Sequence, residues 1–585
     1  MHGCRSQPDV HSLWIKMVLL CYLSGSLPMR LRQLSVFSVL CAIALWAQNP
    51  ASLKDNKCTL KGTVVKEPSS EPIKKATIEL ITENQQEGGN YTAVSDQDGH
   101  FQIEGIEPGR YRLFAERTGY IGVEKKQHRS SGVVLSFESG QQLKDLLIRM
   151  LPAAVITGRV VDQDGDPLPN VEVTVSRTNY SSGRQHWEAL GSERSNDVGE
   201  FRIGSLLPGR YFVSASPPPD FQTLASASKE DAQAHGAPEM AYVTTYYPAT
   251  HDRSQASEIE IRAGEESPVN FTLVPSATFR IRGTVSNLPA SAETVVTLYS
   301  REFSLVSSTA EVSKNGTFEL RAVAPGSYTV VATALIGENA QSARQSIELA
   351  ASNVEGLRLI PVPGALVKGR LRAEGAGQVD LSQFFLLLHC ADGDYSCMNA
   401  IPLGAGDPAQ PARVKKDGSF EWKGVPPGRY DIQFAAEAGA VADYFLKSLV
   451  IGERNIPDAT LTVSSTSLSL DLIVSANGGS IEGTAVDEKN RAVANASVVA
   501  IPESRYRNRP DRYHQAVTDQ HGHFSLHGLN PAIYTIIAWD ELDGDRYLDP
   551  QFLKNYESNA TTTHMEEGSH INLVLQVNSL PDDSP

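Results

Sequence analysis

Apolar residues alternate with polar ones in short runs along this chain, and the same run recurs five times. Its core is Phe101-x-Ile103, Phe201-x-Ile203, Phe318-x-Leu320, Phe420-x-Trp422 and Phe524-x-Leu526. A period of two predicts a strand with one buried face. Before each phenylalanine stands a glycine, Gly99, Gly199, Gly316, Gly418 or Gly522, able to take the positive φ of a tight turn. Asp96, Asp197, Asp417 and Asp519, with Asn315 in the third copy, are placed to bond backbone N–H groups in that turn. After four of the phenylalanines a Pro-Gly pair, such as Pro108-Gly109, predicts a hairpin. A second alternating run then opens on Tyr111, Tyr211, Tyr328, Tyr430 or Tyr534.

The phenylalanines fall 100, 117, 102 and 104 residues apart, a domain-sized spacing. Each copy is preceded by an opening strand such as Ile156-Thr157-Gly158-Arg159-Val160-Val161, then a turn and a further alternating run such as Val171-x-Val173-x-Val175. Helical periodicity is nearly absent. The expectation is an all-β chain of tandem seven-stranded antiparallel Greek-key sandwiches. The expected units are 57–152, 153–275 with an aromatic insert at 217–262, 276–362, 363–476 and 477–578, with a tail at 579–585. Junctions such as Ile360-Pro361-Val362-Pro363-Gly364 leave few spare residues, which predicts a semi-rigid rod.

The recurring motif, G-x-V, then P-x-x-x-A/V-x-V, then T/S-D-x-x-G-x-F-x-I/L-x-x-L-x-P-G-x-Y, resembles the carboxypeptidase regulatory-like domain. That domain is a transthyretin-like (prealbumin-like) sandwich of the carbohydrate-binding-like group. Repeats one, two and five match nearly throughout. Repeat three lacks the aspartate and a clear opening proline, and repeat four departs most between Arg370 and Lys416. The Tyr246-Tyr247-Pro248 and Asp549-Pro550 segments also look like those of large exported acidobacterial proteins. The resemblance implies a fold and an accessory role. It implies no peptidase activity, because in the enzymes this sandwich sits beside a separate zinc domain.

A net charge of −16 argues against nonspecific binding to nucleic acid or to an anionic membrane. The start, 1–47, holds two short apolar runs. Met29-Arg30-Leu31-Arg32 followed by an apolar stretch from Leu34 to Ala47 reads as a signal peptide beginning at an internal methionine, with a membrane anchor as the alternative. An exported chain is expected, periplasmic, extracellular or on the cell surface, touching membrane only through that segment if it is uncleaved. Cys390 and Cys397 flank a short polar loop, so a local disulfide and two separate thiols are both open.

No metal or cofactor is expected. The single His-x-x-Glu, His564 to Glu567, has no partner histidine at a zinc-site spacing, and there is no Gly-x-Ser-x-Gly elbow or phosphate loop. Asp96-x-Asp98 and Asp162-x-Asp164-x-Asp166 suit turn capping better than a calcium loop, and His521 and His523 lie in a turn. Carbohydrate recognition needs an exposed aromatic face. Parity puts Trp539 opposite the core face of its strand, which makes it the first candidate platform, with Trp187 second. Tyr246, Tyr247, Tyr547 and Tyr556 lie on the two irregular segments, where loops on a rigid scaffold place binding residues. The alternative for all six is packing at an edge or a domain junction. The function expected is a non-enzymatic binding or adhesion scaffold whose partner is a polysaccharide or an envelope protein. A structural spacer and an accessory to an envelope peptidase or glycan-processing enzyme are the alternatives.

Overall fold

Each repeat begins with a strand that carries a glycine where its neighbours carry side chains. These opening strands are Cys58–Lys66, Ala154–Val161, Ser276–Val285, Ala365–Glu374 and Gly479–Val486. The computed structural model describes residues 57–83, 89–123, 132–181, 184–218, 239–287, 292–301, 306–336, 339–375, 379–391, 411–436, 443–456, 459–464, 466–540, 542 and 544–580. The expected leader at 1–47, Cys397 and most of the 217–262 insert before Glu239 lie outside them. Among the described residues no helix is long and apolar enough to cross a membrane.

The protein is almost entirely β, built of repeated sandwich-like units with five main apolar cores. In every unit the phenylalanine strand pairs antiparallel with the opening strand. The tyrosine strand pairs instead in the second layer, as Gly109–Glu116 does with Thr77–Thr82. One expectation is corrected here. The sheets are not wholly antiparallel, because a closing segment runs parallel to the opening strand in all five units. The intervening chain crosses to the other layer and back, and that length is what a parallel pairing requires.

The five phenylalanines occupy matching places. Phe101 pairs with Gly62, Phe201 with Gly158, Phe318 with Gly283, Phe420 with Gly369 and Phe524 with Gly483. All five rings are 5% exposed or less. A Cβ on those glycines would lie 2.6, 2.8, 2.7, 2.5 and 3.0 Å from the ring carbons. It would also strike a backbone carbonyl of the closing segment, Leu146, Val269, Leu357, Leu470 or Leu573. Each core thus packs an aromatic ring against bare backbone, at the density interiors require.

The turn before each phenylalanine carries its glycine as predicted, but its side-chain acceptor stands five residues before the phenylalanine in repeats one, two and five and three before it in repeats three and four, where Asn315 accepts from Thr317 N and Asp417 from Ser419 N. Gly99, Gly199, Gly316, Gly418 and Gly522 have φ of 76, 79, 83, 82 and 76°. Asp96 Oδ1 accepts from the N–H groups of Asp98 and His100, and Asp519 Oδ1 from those of His521 and His523. In repeat two the acceptor is Asn196, not Asp197. The residue before it adds a bond that the motif did not reveal. Ser95 Oγ accepts from Ala76 N and donates to Ile73 O. Ser195 and Thr518 repeat the stitch between Val171 and Leu168 and between Ala496 and Val493. A hydroxyl so placed satisfies two buried backbone groups at once.

The tyrosines lock the next corner. The hydroxyls of Tyr111, Tyr211, Tyr328 and Tyr430 donate to the carbonyls of Glu107, Leu207, Ala324 and Pro426, each four residues back. Tyr534 is equally buried but lacks that carbonyl bond.

Candidate binding surface and the junctions of repeat five

Trp539 does point away from the main core of its repeat, as parity predicts. Tyr534, Ile536 and Ala538 belong to that core, while Ile537 and Trp539 belong to a second one. Trp539 is nonetheless 0% exposed, so it offers no platform. The chain returns as the short helix Pro550–Lys554, capped by Asp549 Oδ1 on Gln551 N, and lays Phe552 and Tyr556 over the indole at 5.9 and 5.6 Å between ring centroids. Tyr556 is itself buried in this second core, and Tyr547 packs at its margin, 5.8 Å from Tyr513.

Trp187 is half-buried on the outer face of repeat two. One face of its ring stacks on Phe212 at 4.0 Å and 17°, and the Arg253 guanidinium lies 4.2 Å from its centroid. Tyr246 meets it edge-on at 5.7 Å and is buried. Tyr247 is half-buried against the repeat-two core. Among the predicted aromatics, Trp187, Tyr247 and Tyr547 keep partial access to solvent. A sugar stacking on Trp187 would have to displace the guanidinium, a cation–π contact.

The two irregular segments serve junctions. Glu239–Ala241 leaves repeat two and pairs with the opening strand of repeat three. There Glu239 and Glu319 hold Arg280 at 3.0 Å each, and Glu319 also accepts from Arg282 and Arg321. Burial works against the Glu319 carboxylate, but the hydrogen bonds from Arg282 and Arg321 outweigh it and hold its pKa below the ordinary value. An open cleft of about 580 Å³ beside them is lined by Arg282, Glu311, Glu319 and Arg321. Arg282 and Arg321 are already engaged by Glu319, so the cleft is not a prepared anion site.

Repeat five contacts three other repeats. Against repeat four, Arg509 is 3% exposed, donates to Ile432 O and is held by Asp511 at 2.7 Å. Lys447 bridges Glu374 and Glu567 at the same junction, and Asn530 Nδ2 donates to Leu446 O. Glu567, the acidic half of the single His-x-x-Glu, is therefore a junction residue. Against repeat two, Asp549 lies near the Tyr180 hydroxyl, whose pKa is raised by burial and by that carboxylate, and Arg177 lies beside Gly544. Against repeat one, Arg110 Nη2 donates to Val517 O at 3.2 Å. A rod would keep the first and last repeats apart. That expectation is overturned by these bonds.

One constellation has no local signature in the chain, because it joins Ser525 and His527 of repeat five to Asp443 of repeat four. Ser525 Oγ and His527 Nε2 are 2.6 Å apart, and His527 Nδ1 and Asp443 Oδ1 are 3.1 Å apart. The order of atoms is that of a hydrolytic triad. The setting is not. Ser525 sits within a regular strand, paired with Glu482, and the His527 and Asp443 side chains are 39% and 61% exposed. A nucleophilic serine needs an enclosed site with donors aimed at a developing oxyanion. The trio reads as a polar staple across the junction of repeats four and five. Among the described residues no group of three or more His, Cys, Asp or Glu could hold a metal ion. Asp96 and Asp162 spend Oδ1 on turn N–H groups. Cys390 is disulfide-bonded, and Cys58 is a buried thiol donating to Glu138 O.

The carboxypeptidase regulatory-like domain family matches residues 59–136 and 155–274. Among curated proteins none matches this chain. Among solved structures, the TIE protein of Bacillus anthracis is 15% identical, over 52% of this chain and 50% of its own, with a TM-score of 0.16. The minor pilin GBS52 of Streptococcus agalactiae is 11% identical over 40% of this chain and 99% of its own, at 0.20. BcpA, the major pilin subunit of Bacillus cereus, is 11% identical over 52% and 99%, at 0.13. Likeness at these scores carries no argument about what this chain binds or where it works. What is established is local to the matched segments: a carboxypeptidase regulatory-like domain is present in a chain of repeated β-sandwich units.

Proposed function

We propose that the chain is a non-catalytic binding and adhesion scaffold of tandem seven-stranded sandwiches, working outside the cytoplasm at the cell envelope. The observation that carries this reading is the set of five repeat cores, each closed by its own phenylalanine on its own glycine. Together they occupy the described chain and leave no separate body for catalysis. Within this reading a polysaccharide is the partner that the half-exposed Trp187 ring would take once the Arg253 guanidinium moves off it, since sugar rings pack on aromatic faces. The test is co-sedimentation of the full chain with insoluble cell-wall polysaccharides, beside Trp187→Ala. Binding that the substitution removes supports a glycan-binding scaffold. The burial of Trp539 and the junction roles of both irregular segments favour a second reading, a structural spacer, which predicts no sedimentation with any polysaccharide.

A further inference from the structure

The contact between the first and last repeats has an unusual form. Strand Val133–Phe137 is the outermost of its sheet in repeat one and pairs inward with the tyrosine strand, Ser136 opposite Arg110. On its outer side Ser136 N donates to Gln520 Oε1 at 3.0 Å, and Gln520 Nε2 donates to Ser136 O at 2.6 Å. A carboxamide carries one acceptor and one donor in a plane, as a residue of a neighbouring strand does. Gln520 therefore stands in for one residue of a missing strand and plugs an edge that would otherwise be open to pairing. Arg110, also held by Glu83 at 2.8 Å, fixes the approach through Val517 O.

We propose that this contact is a releasable clasp, and that its other occupant is a second copy of the chain. The clasp joins two different surfaces, the edge of repeat one and the turn of repeat five. A contact of that kind can form within one chain or between chains, and between chains it does not close on itself. Within one chain the tether raises the effective concentration of the turn, so the closed monomer prevails in dilute solution. The bonds are few and only part-buried, so release is a local event. Once released, the edge at Ser136 takes the Gln520 turn of another copy through the same three bonds. In that exchange the contacts of Gly544 and Asp549 with repeat two part together with the clasp, while the junction of repeats four and five, anchored by buried Arg509, is kept.

Complementation tests this. Gln520→Ala removes the plug and leaves the edge intact. Ser136→Pro removes the edge N–H and leaves the plug intact, at a position on an outer strand where proline is tolerated. Each variant alone is crippled within and between its own copies: Gln520→Ala keeps only the Arg110–Val517 bond, and Ser136→Pro loses the edge N–H and sets a proline ring where the Gln520 carboxamide sits. Each should sediment as a monomer, and their equimolar mixture should give a heterodimer of doubled mass. A mixture that stays monomeric at high concentration overturns the exchange between copies, as does equal dimerisation of either variant alone. Hydrogen exchange at the Ser136 amide reports the closed form directly. It should be protected in the wild-type monomer and faster in Gln520→Ala, and equal rates would overturn the clasp itself.

Discussion

Gly158 and Phe201 are cross-strand partners, and the Phe201 ring together with the Val269 carbonyl fills the space where a Gly158 side chain would stand. Gly158→Ala should therefore overpack the repeat-two core. The expected loss is about 1–3 kcal/mol of local stability. Hydrogen exchange resolved by repeat is the measurement, because a chain of several units does not unfold in one step. Protection should fall in Ala154–Val161 and Glu200–Leu206 and hold in repeat four.

The tyrosine corners give a paired comparison. Tyr430→Phe removes a buried hydroxyl that donates to Pro426 O, at an expected cost of about 1–2 kcal/mol. Tyr534→Phe removes a hydroxyl that lacks the equivalent bond, so its effect should stay within about 0.5 kcal/mol. Local exchange in the two repeats checks both, and equal losses would contradict the account of the fifth corner.

Trp539→Ala should cost about 3–5 kcal/mol by opening a cavity beneath Phe552 and Tyr556. Polysaccharide co-sedimentation, if the wild type shows any, should be unchanged for molecules that remain folded. A selective loss of binding without loss of stability would restore Trp539 as a ligand platform.

His514 predicts a pH dependence. Burial holds its pKa down to about 4, below its ordinary 6.5. Between those values the unfolded chain binds a proton that the folded chain refuses. Stability conferred by repeat five should therefore fall as the pH drops from 6.5 toward 4, by up to about 1.4 kcal/mol per pH unit. Urea titrations from pH 7 to 5 should show a shallower slope in His514→Phe.

Ser525 should not react with a fluorophosphonate probe, and Ser525→Ala should leave the labelling of the chain at background. Stoichiometric labelling that disappears in the alanine variant would contradict the non-catalytic reading and make Ser525, His527 and Asp443 a reaction centre.

Much of the fold was legible because period two and turn chemistry are local. The buried faces of Phe101, Ile103 and their counterparts follow from alternation alone, and the positive φ of Gly99 follows from the turn. The glycine opposite each phenylalanine was visible as a motif position, but its reason lies in a carbonyl from the closing segment, which alternation does not reveal. The acceptor in repeat two was misplaced by one residue because Asn196 and Asp197 both suit a turn, and only the register separates them. For Trp539 the parity was right and the exposure wrong. Parity reports which side of a strand a residue takes, and says nothing of a helix that arrives to cover that side. The contacts of repeat five were invisible for the same reason, since Gln520 and Ser136 are far apart in sequence, Gln520 fills a variable position of the motif and Ser136 lies outside it.

Because each ring and its bare-backbone seat come from the same repeat, every unit carries its own fastening. A genetic event that adds or drops a middle copy at equivalent boundaries leaves the remaining fastenings whole. The terminal copy is different, since its outward faces are committed to three neighbours at once. Lineages of such chains should therefore vary in the number of interior units while keeping the last one, and a comparison of repeat counts across them would read that asymmetry directly.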